Sequence, residues 1–200
     1  GHTDLILMEG HGRFRLVGRT RDDAAGEAFD KGARVLGLGF PGGPEIQRVA
    51  FDANGQEPNF TAPKVRNSMD FSFSGLKTAL IRRAEQRGIY PPKPGIDPDP
   101  EAVASIANAF QEAIVDSMVY RAVAAVKEHN VKGLLLGGGV AANQLLRSEI
   151  SAKSPVDVLV PRPELCTDNG AMIGAAAWFA LRGGVQHQWD MDVLPNLRLG

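Results

Sequence analysis

The chain has one cysteine, Cys166, so no internal disulfide framework is open to it, and the sequence fits a reducing compartment. No apolar run approaches the roughly 18 residues needed to span a bilayer, and no signal peptide is visible, which makes the cytoplasm the expected location. Charge of either sign is also scarce in excess. At a formal net charge of −1, no global field draws the chain to nucleic acid or an anionic membrane, so any nucleic-acid contact has to be local or brought by a partner. His2, His11, His129 and His187 show no paired ligand spacing, and the chain holds no complete metal site of its own. No methionine precedes Gly1-His2-Thr3, and a strand pattern starts almost at once, as in a fragment of a longer protein.

What is present is an ordinary globular composition, 44% apolar and 22% charged, over 200 residues, enough for a real core. Thr3 to Glu9 and Arg13 to Thr20 read as strands of a hairpin turning at Gly10-His11-Gly12. Helical periodicity then covers Asp23 to Leu36, followed by a loop from Gly37 to Pro44 and a short helix to about Phe51. Asp70 to Phe73 reads as a short strand, with Ser74 placed to cap a helix to about Arg87. The stretch Tyr90 to Pro100 contains five prolines, which make it an extended connection. Glu101 to Asn130 is the longest helix, with Val103, Ile106, Phe110, Ile114, Met118, Ala122 and Val126 on one face. Strand Gly133 to Leu136, helix Ala142 to Ala152, strand Val156 to Val160 and a small-residue helix from Asn169 to Leu181 follow, then a polar tail to Gly200. This alternation implies parallel strands with helical crossovers.

Gly137-Gly138-Gly139-Val140-Ala141-Ala142-Asn143 joins a strand to a helix through bare backbone, as nucleotide loops do. It fits the dinucleotide fingerprint only loosely, has no Gly-Lys-Thr or Gly-Lys-Ser, and also reads as a structural tight turn. Asn143 can offer an amide donor and acceptor to a base or ribose. Asp23, Glu27 and Asp30 share a helical face, either as a solvated acidic face or with Asp30 or Glu27 accepting from ribose hydroxyls. Gly42-Gly43 within Phe40 to Pro44 either brings backbone against a sugar or simply turns the chain. Thr167 or Asp168 reads most economically as a helix cap, and Cys166 has no activating base nearby in sequence. Gly1-His2-Thr3 can form a phosphate-binding turn with the Thr3 hydroxyl. Arg13, Arg15, Arg19 and Arg21 form the only basic stripe, more in keeping with a solvated sheet face than with an RNA footprint.

Together and in this order, these motifs closely resemble the tRNA threonylcarbamoyladenosine transferase family, TsaD in bacteria. The matching residues are Gly1-His2-Thr3, Asp22 to Lys31, Pro41 to Pro44, Phe71 to Thr78, Gly137 to Asn143 and Cys166 to Asn169. The resemblance implies an α/β, actin-like and ribonuclease-H-like fold, with a mixed sheet and helical crossovers. The chain would be mostly the C-terminal lobe, with part of a helical insert at about 24–130 and the N-terminal lobe absent. It implies transfer of threonylcarbamoyl from threonylcarbamoyl-AMP to the adenosine beside the tRNA anticodon, with TsaB- and TsaE-type proteins as partners. By motif, Gly1, Asp30, Gly43 and Asn143 would hold the adenylate or an ATP-like nucleotide. Asp168 would ligate iron (Fe2+) or zinc (Zn2+) together with two histidines of a His-x-x-x-His helix that this chain lacks. These residues alone are therefore expected to bind metal weakly and transfer nothing. An ATP-binding actin-like kinase or ATPase module and a non-catalytic partner subunit remain the rival classes.

Overall fold

The computed structural model describes residues 1–62, 65, 67–186, 189 and 192; His187 and most of the polar tail lie outside the described residues. Strands β1 (Asp4–Gly10) and β2 (Arg13–Arg19) pair antiparallel as the hairpin expects, and Gly12 in the turn has φ 77°. Helices α1 (Ala25–Val35) and α2 (Gly42–Ala50) follow, then α3 (Ser74–Gln86) and α4 (Pro100–His129). The chain continues through β3 (Gly133–Leu135), α5 (Gln144–Lys153), β4 (Asp157–Leu159) and α6 (Gly170–Arg182). Strands β3 and β4 are parallel, in the register Leu134 to Val158, with α5 as the crossover.

Helix α4 is one unbroken element of 30 residues, about 45 Å long. Asp99 caps its start by accepting from Glu101 N–H, and Pro100 occupies the first turn, where a missing N–H costs nothing. Asn130, at φ 47°, ends it in the left-handed conformation that asparagine tolerates. Its first half packs Val103, Ile106, Phe110 and Ile114 against Phe29, Ile46, Leu76 and Leu80 of α1, α2 and α3. Its second half packs Val115, Val119 and Ala122 against Leu146 and Ile150 of α5, with Leu134 and Val158 alongside.

Several expectations change. The strands do not make one mixed sheet: the described residues form two separate two-stranded sheets. Between them lies a cavity of about 200 Å³ lined by His2 to Leu5 on one side and Leu134 to Val140 on the other. Asp70 to Phe73 is reduced to one parallel bridge, Thr20 to Phe71, because the chain turns at once into α3. Helix α2 starts at Gly42, inside the expected loop, because a side chain from α1 supplies its cap. The arginine stripe is divided. Leu5 pairs with Gly18 and Ile6 with Leu16, so Val17 is an extra residue that switches the faces of β2. Arg15 then lies opposite Leu7 and Arg19 opposite Asp4, on different sides of the hairpin, while Arg21 is tied to Asp70 at 2.8 Å.

Candidate functional site

The glycine run keeps an open face. A side chain built on Gly137, Gly138 or Gly139 would meet nothing within 4 Å, and Gly138 has φ 88°, which other residues rarely adopt. The run does not lead straight into a helix, however. Gly139–Ala142 is a 3-10 turn, and α5 begins only at Gln144 with Asn143 as its cap. Asn143 Oδ1 accepts from Leu146 N–H at 3.0 Å, its Nδ2 donates to Gln111 Oε1 at 2.7 Å, and Gln144 N–H donates to Gln47 Oε1 at 2.6 Å. Two N–H groups of the first turn are thus taken by side chains and are not open to a ligand.

Asp30 lies on α1 and caps α2: its Oδ1 accepts from Gly42 N–H at 2.7 Å. Gly42 is glycine because the two helices touch there. A Cβ at that position would come within 2.6 Å of both Asp30 Cα and the Phe29 carbonyl oxygen. Gly43, by contrast, faces open space. One turn further along α2, Gln47 makes the bond to Gln144, which ties the start of α5, capped by Asn143, to the helix that Asp30 caps and that carries Gly43. Gly1 lies at the start of α1. A Cβ on Gly1 would stand 3.6 Å from Ala24, and Thr3 Oγ1 accepts from Ala25 N–H at 2.9 Å, capping α1. The Thr3 hydroxyl thus accepts a backbone bond and keeps its O–H as a donor, the role a phosphate contact needs.

The three carboxylates of the acidic face divide their roles. Lys31 Nζ sits between Asp23 at 2.5 Å and Glu27 at 2.8 Å, and these two bonds, Asp23 first, hold the Lys31 pKa above its ordinary value. The Lys31 hydrogen bond lowers that of Glu27 in turn. Asp30 is the one of the three that makes no ion pair with Lys31, and its Oδ2 takes no hydrogen bond from the described residues. Just upstream, Asp22 accepts from Ser72 Oγ, Phe73 N–H, Ser74 N–H and Ser74 Oγ, and so performs the capping expected of Ser74 itself. Burial pushes the Asp22 carboxyl up, but these bonds outweigh it and leave it below the ordinary aspartate value.

On the other flank, Arg147 ties the 3-10 turn to the loop before α6. Its Nε donates to the Ala141 carbonyl at 2.6 Å, and its Nη2 to the Pro161 carbonyl at 2.8 Å and to Cys166 Sγ at 3.2 Å. Cys166 is buried beneath this bridge. Asn169, rather than Thr167 or Asp168, caps α6 by accepting from Met172 N–H. Asp168 is exposed, and among the described residues no three His, Cys, Asp or Glu side chains gather as metal ligands. A lone exposed carboxylate does not fit a bound metal. Of the histidines, His11 stacks on Phe179 of α6 at 3.3 Å between ring centres.

Gln47, Gln111 and Arg147 do not stand out from motif spacing, yet they hold the site together. Gln111 carried a signal: it interrupts an otherwise apolar row, Ala104, Ala107, Val115, Met118 and Ala122, and a polar side chain in such a row needs a buried partner. Gln47 and Arg147 sit on partly exposed helix positions, where long polar residues are unremarkable.

A family profile described as "TsaD: tRNA N6-adenosine threonylcarbamoyltransferase" matches residues 1–175. A Dehalococcoides mccartyi (strain BAV1) protein named tRNA N6-adenosine threonylcarbamoyltransferase is 49% identical over 199 residues, covering 98% of this chain and 57% of its own length. Proteins of the same name from Thermomicrobium roseum and Symbiobacterium thermophilum are 47% and 44% identical across 100% of the chain, which covers 58% and 57% of them. The chain thus spans a little under three fifths of the length of these relatives. Among solved structures, the crystal structure of T. kodakarensis HypF matches with a TM-score of 0.58 over 80% of this chain and 20% of that chain. At 22% identity this is a likeness of fold alone.

Proposed function

Because the chain belongs to the TsaD family of tRNA N6-adenosine threonylcarbamoyltransferases, we propose that it forms the nucleoside-holding part of an enzyme acting on tRNA. That enzyme moves threonylcarbamoyl from threonylcarbamoyl-AMP to the exocyclic amine of the adenosine beside the anticodon. The observation that carries this reading is the pair of bonds, Asp30 to Gly42 and Gln47 to Gln144, that links Asp30 on α1, Gly43 on α2 and the α5 start capped by Asn143 through one short helix.

Each residue has a role its chemistry suits. The second carboxylate oxygen of Asp30 accepts from ribose hydroxyls, Gly43 lets the main chain approach the sugar, and the Asn143 amide meets the nucleoside. Gly1 and the open glycine run lie toward the phosphate, where backbone N–H groups neutralise charge. In the transfer, the amine nitrogen bonds to the carbamoyl carbon and the bond from that carbon to the adenylate oxygen breaks. AMP leaves with the electron pair, and the amine proton passes to solvent. These residues bind and orient the adenylate. Asp168 would be one ligand of an iron or zinc ion whose other ligands the longer protein supplies, since alone it makes no site.

The proposal extends to architecture: the chain is most of the C-terminal lobe of an actin-like, ribonuclease-H-like enzyme, with residues 24–130 as part of a helical insert. The division of the core between α1–α3 and the β3–α5–β4 unit supports this. Partners of the TsaB and TsaE type and a cytoplasmic location belong to the same reading. No helix among the described residues is long and apolar enough to cross a membrane.

Calorimetric titration of the chain with AMP tests the site. Saturable binding that weakens about tenfold in both Asp30→Ala and Asn143→Ala is expected, on the scale of a lost charge-assisted or buried hydrogen bond. Absence of saturable binding overturns the reading, and ATP hydrolysis without tRNA that depends on these two residues would replace it with a kinase-like one.

A further inference from the structure

We propose that Gln111 is a positioning residue for the nucleoside site, fixing the Asn143 amide in the one orientation that leaves an N–H donor for the ligand. An asparagine amide is nearly symmetric in shape, and either face-flip fits the same space, so its hydrogen bonds alone decide which end is oxygen. Here two constraints agree. As the cap of α5, Asn143 must turn Oδ1 toward Leu146 N–H, and Gln111 Oε1 accepts from Nδ2 on the other side. The two side chains are 8% and 4% exposed and belong to elements 32 residues apart in sequence. Burying two amides costs free energy unless they satisfy each other, so this contact selects one arrangement instead of tolerating several.

With one Nδ2 hydrogen given to Gln111, the second is what Asn143 has left to donate. The site then reads an acceptor: a purine ring nitrogen or a ribose oxygen. The inference deepens the proposed nucleoside reading and rests on it.

The test uses AMP, 3-deaza-AMP, 7-deaza-AMP and 2′-deoxy-AMP, titrated into the wild-type chain, Asn143→Ala, Gln111→Leu and Gln111→Glu. The wild type is expected to discriminate against at least one analogue that lacks an acceptor, by about tenfold. Gln111→Leu is expected to bring that discrimination to within about twofold, and Gln111→Glu, which keeps an acceptor oxygen facing Asn143, to restore most of it. A double Gln111→Leu, Asn143→Ala variant should bind AMP no more weakly than Asn143→Ala alone. If Gln111→Leu weakens all ligands equally and keeps the discrimination, Gln111 serves packing only and the assignment is overturned. The same holds if Asn143→Ala loses binding while Gln111→Leu does not. If Asn143→Ala binds like wild type, the nucleoside reading fails first and takes the inference with it. Should Gln111→Leu not fold, Gln111→Met, closer in length and flexibility, carries the same comparison.

Discussion

The carboxylate of Asp22 accepts from both the backbone N–H of Ser74, at 3.2 Å, and its hydroxyl, at 2.8 Å, so a residue before α1 caps a helix that starts 52 positions later. The cap therefore joins two distant parts of the chain instead of closing a local turn.

Replacing Asp22 with alanine should lower stability by about 1 to 2 kcal/mol, the range for a lost helix cap, as read from urea unfolding. The pH dependence has a defined sign. The folded pKa of Asp22 lies below its ordinary value of 3.8, so its contribution is fully present above that value and is lost as pH falls through the folded pKa. The stability gap between wild type and Asp22→Asn should thus be flat from pH 7 to about 5 and shrink progressively below about 3.8. A gap that widens with acid would contradict this account.

The paired glycines Gly42 and Gly43 should separate folding from binding. Gly42→Ala places a methyl group 2.6 Å from backbone atoms of α1, so unfolding free energy should fall by an amount typical of overpacking, about 1 to 3 kcal/mol, with a lower melting temperature. Gly43→Ala meets open space and should leave the melting curve nearly unchanged while weakening AMP binding. Equal effects of both changes on stability would show that Gly43 is structural as well.

These contrasts show what the sequence could and could not reveal. Strong periodicity located α1, α4 and the parallel β3–α5–β4 unit to within a few residues, because burial of one face dictates that pattern. Sequence spacing alone points to caps among near neighbours, Ser74 for α3 and Thr167 or Asp168 for α6. The first is in fact supplied by Asp22 from a distance, the second by the next residue, Asn169. Capping depends on where a carboxylate or amide arrives in space, and linear spacing does not encode that. The link between α2, capped by Asp30, and the start of α5, capped by Asn143, depends on Gln47, whose side chain crosses between helices almost a hundred residues apart.

Arg147 should control access to the only cysteine. Arg147→Met removes the bridge to the carbonyls of Ala141 and Pro161 while keeping much of the side-chain length. Cys166, 4% exposed in the wild type, should then react with a thiol reagent at least about tenfold faster under native conditions, as expected for a lower local opening energy. An unchanged rate would mean that the Cys166 loop is held by other contacts.

After dialysis against iron or zinc, the 200-residue chain should retain well below one equivalent, and Asp168→Ala should not alter that amount, because one exposed carboxylate cannot assemble a coordination sphere. Stoichiometric metal lost on changing Asp168 would reveal ligands outside the described residues.

Helix α4 carries a consequence for how the chain comes apart. Ile114 and Val115 are neighbours, yet Ile114 packs with α1–α3 and Val115 with α5. A rigid rod held on two sides at the same height cannot fray toward one partner without loosening its grip on the other. Both cores should accordingly share one cooperative unfolding event, with the slowest amide exchange centred on the middle turns of α4 and not at either end.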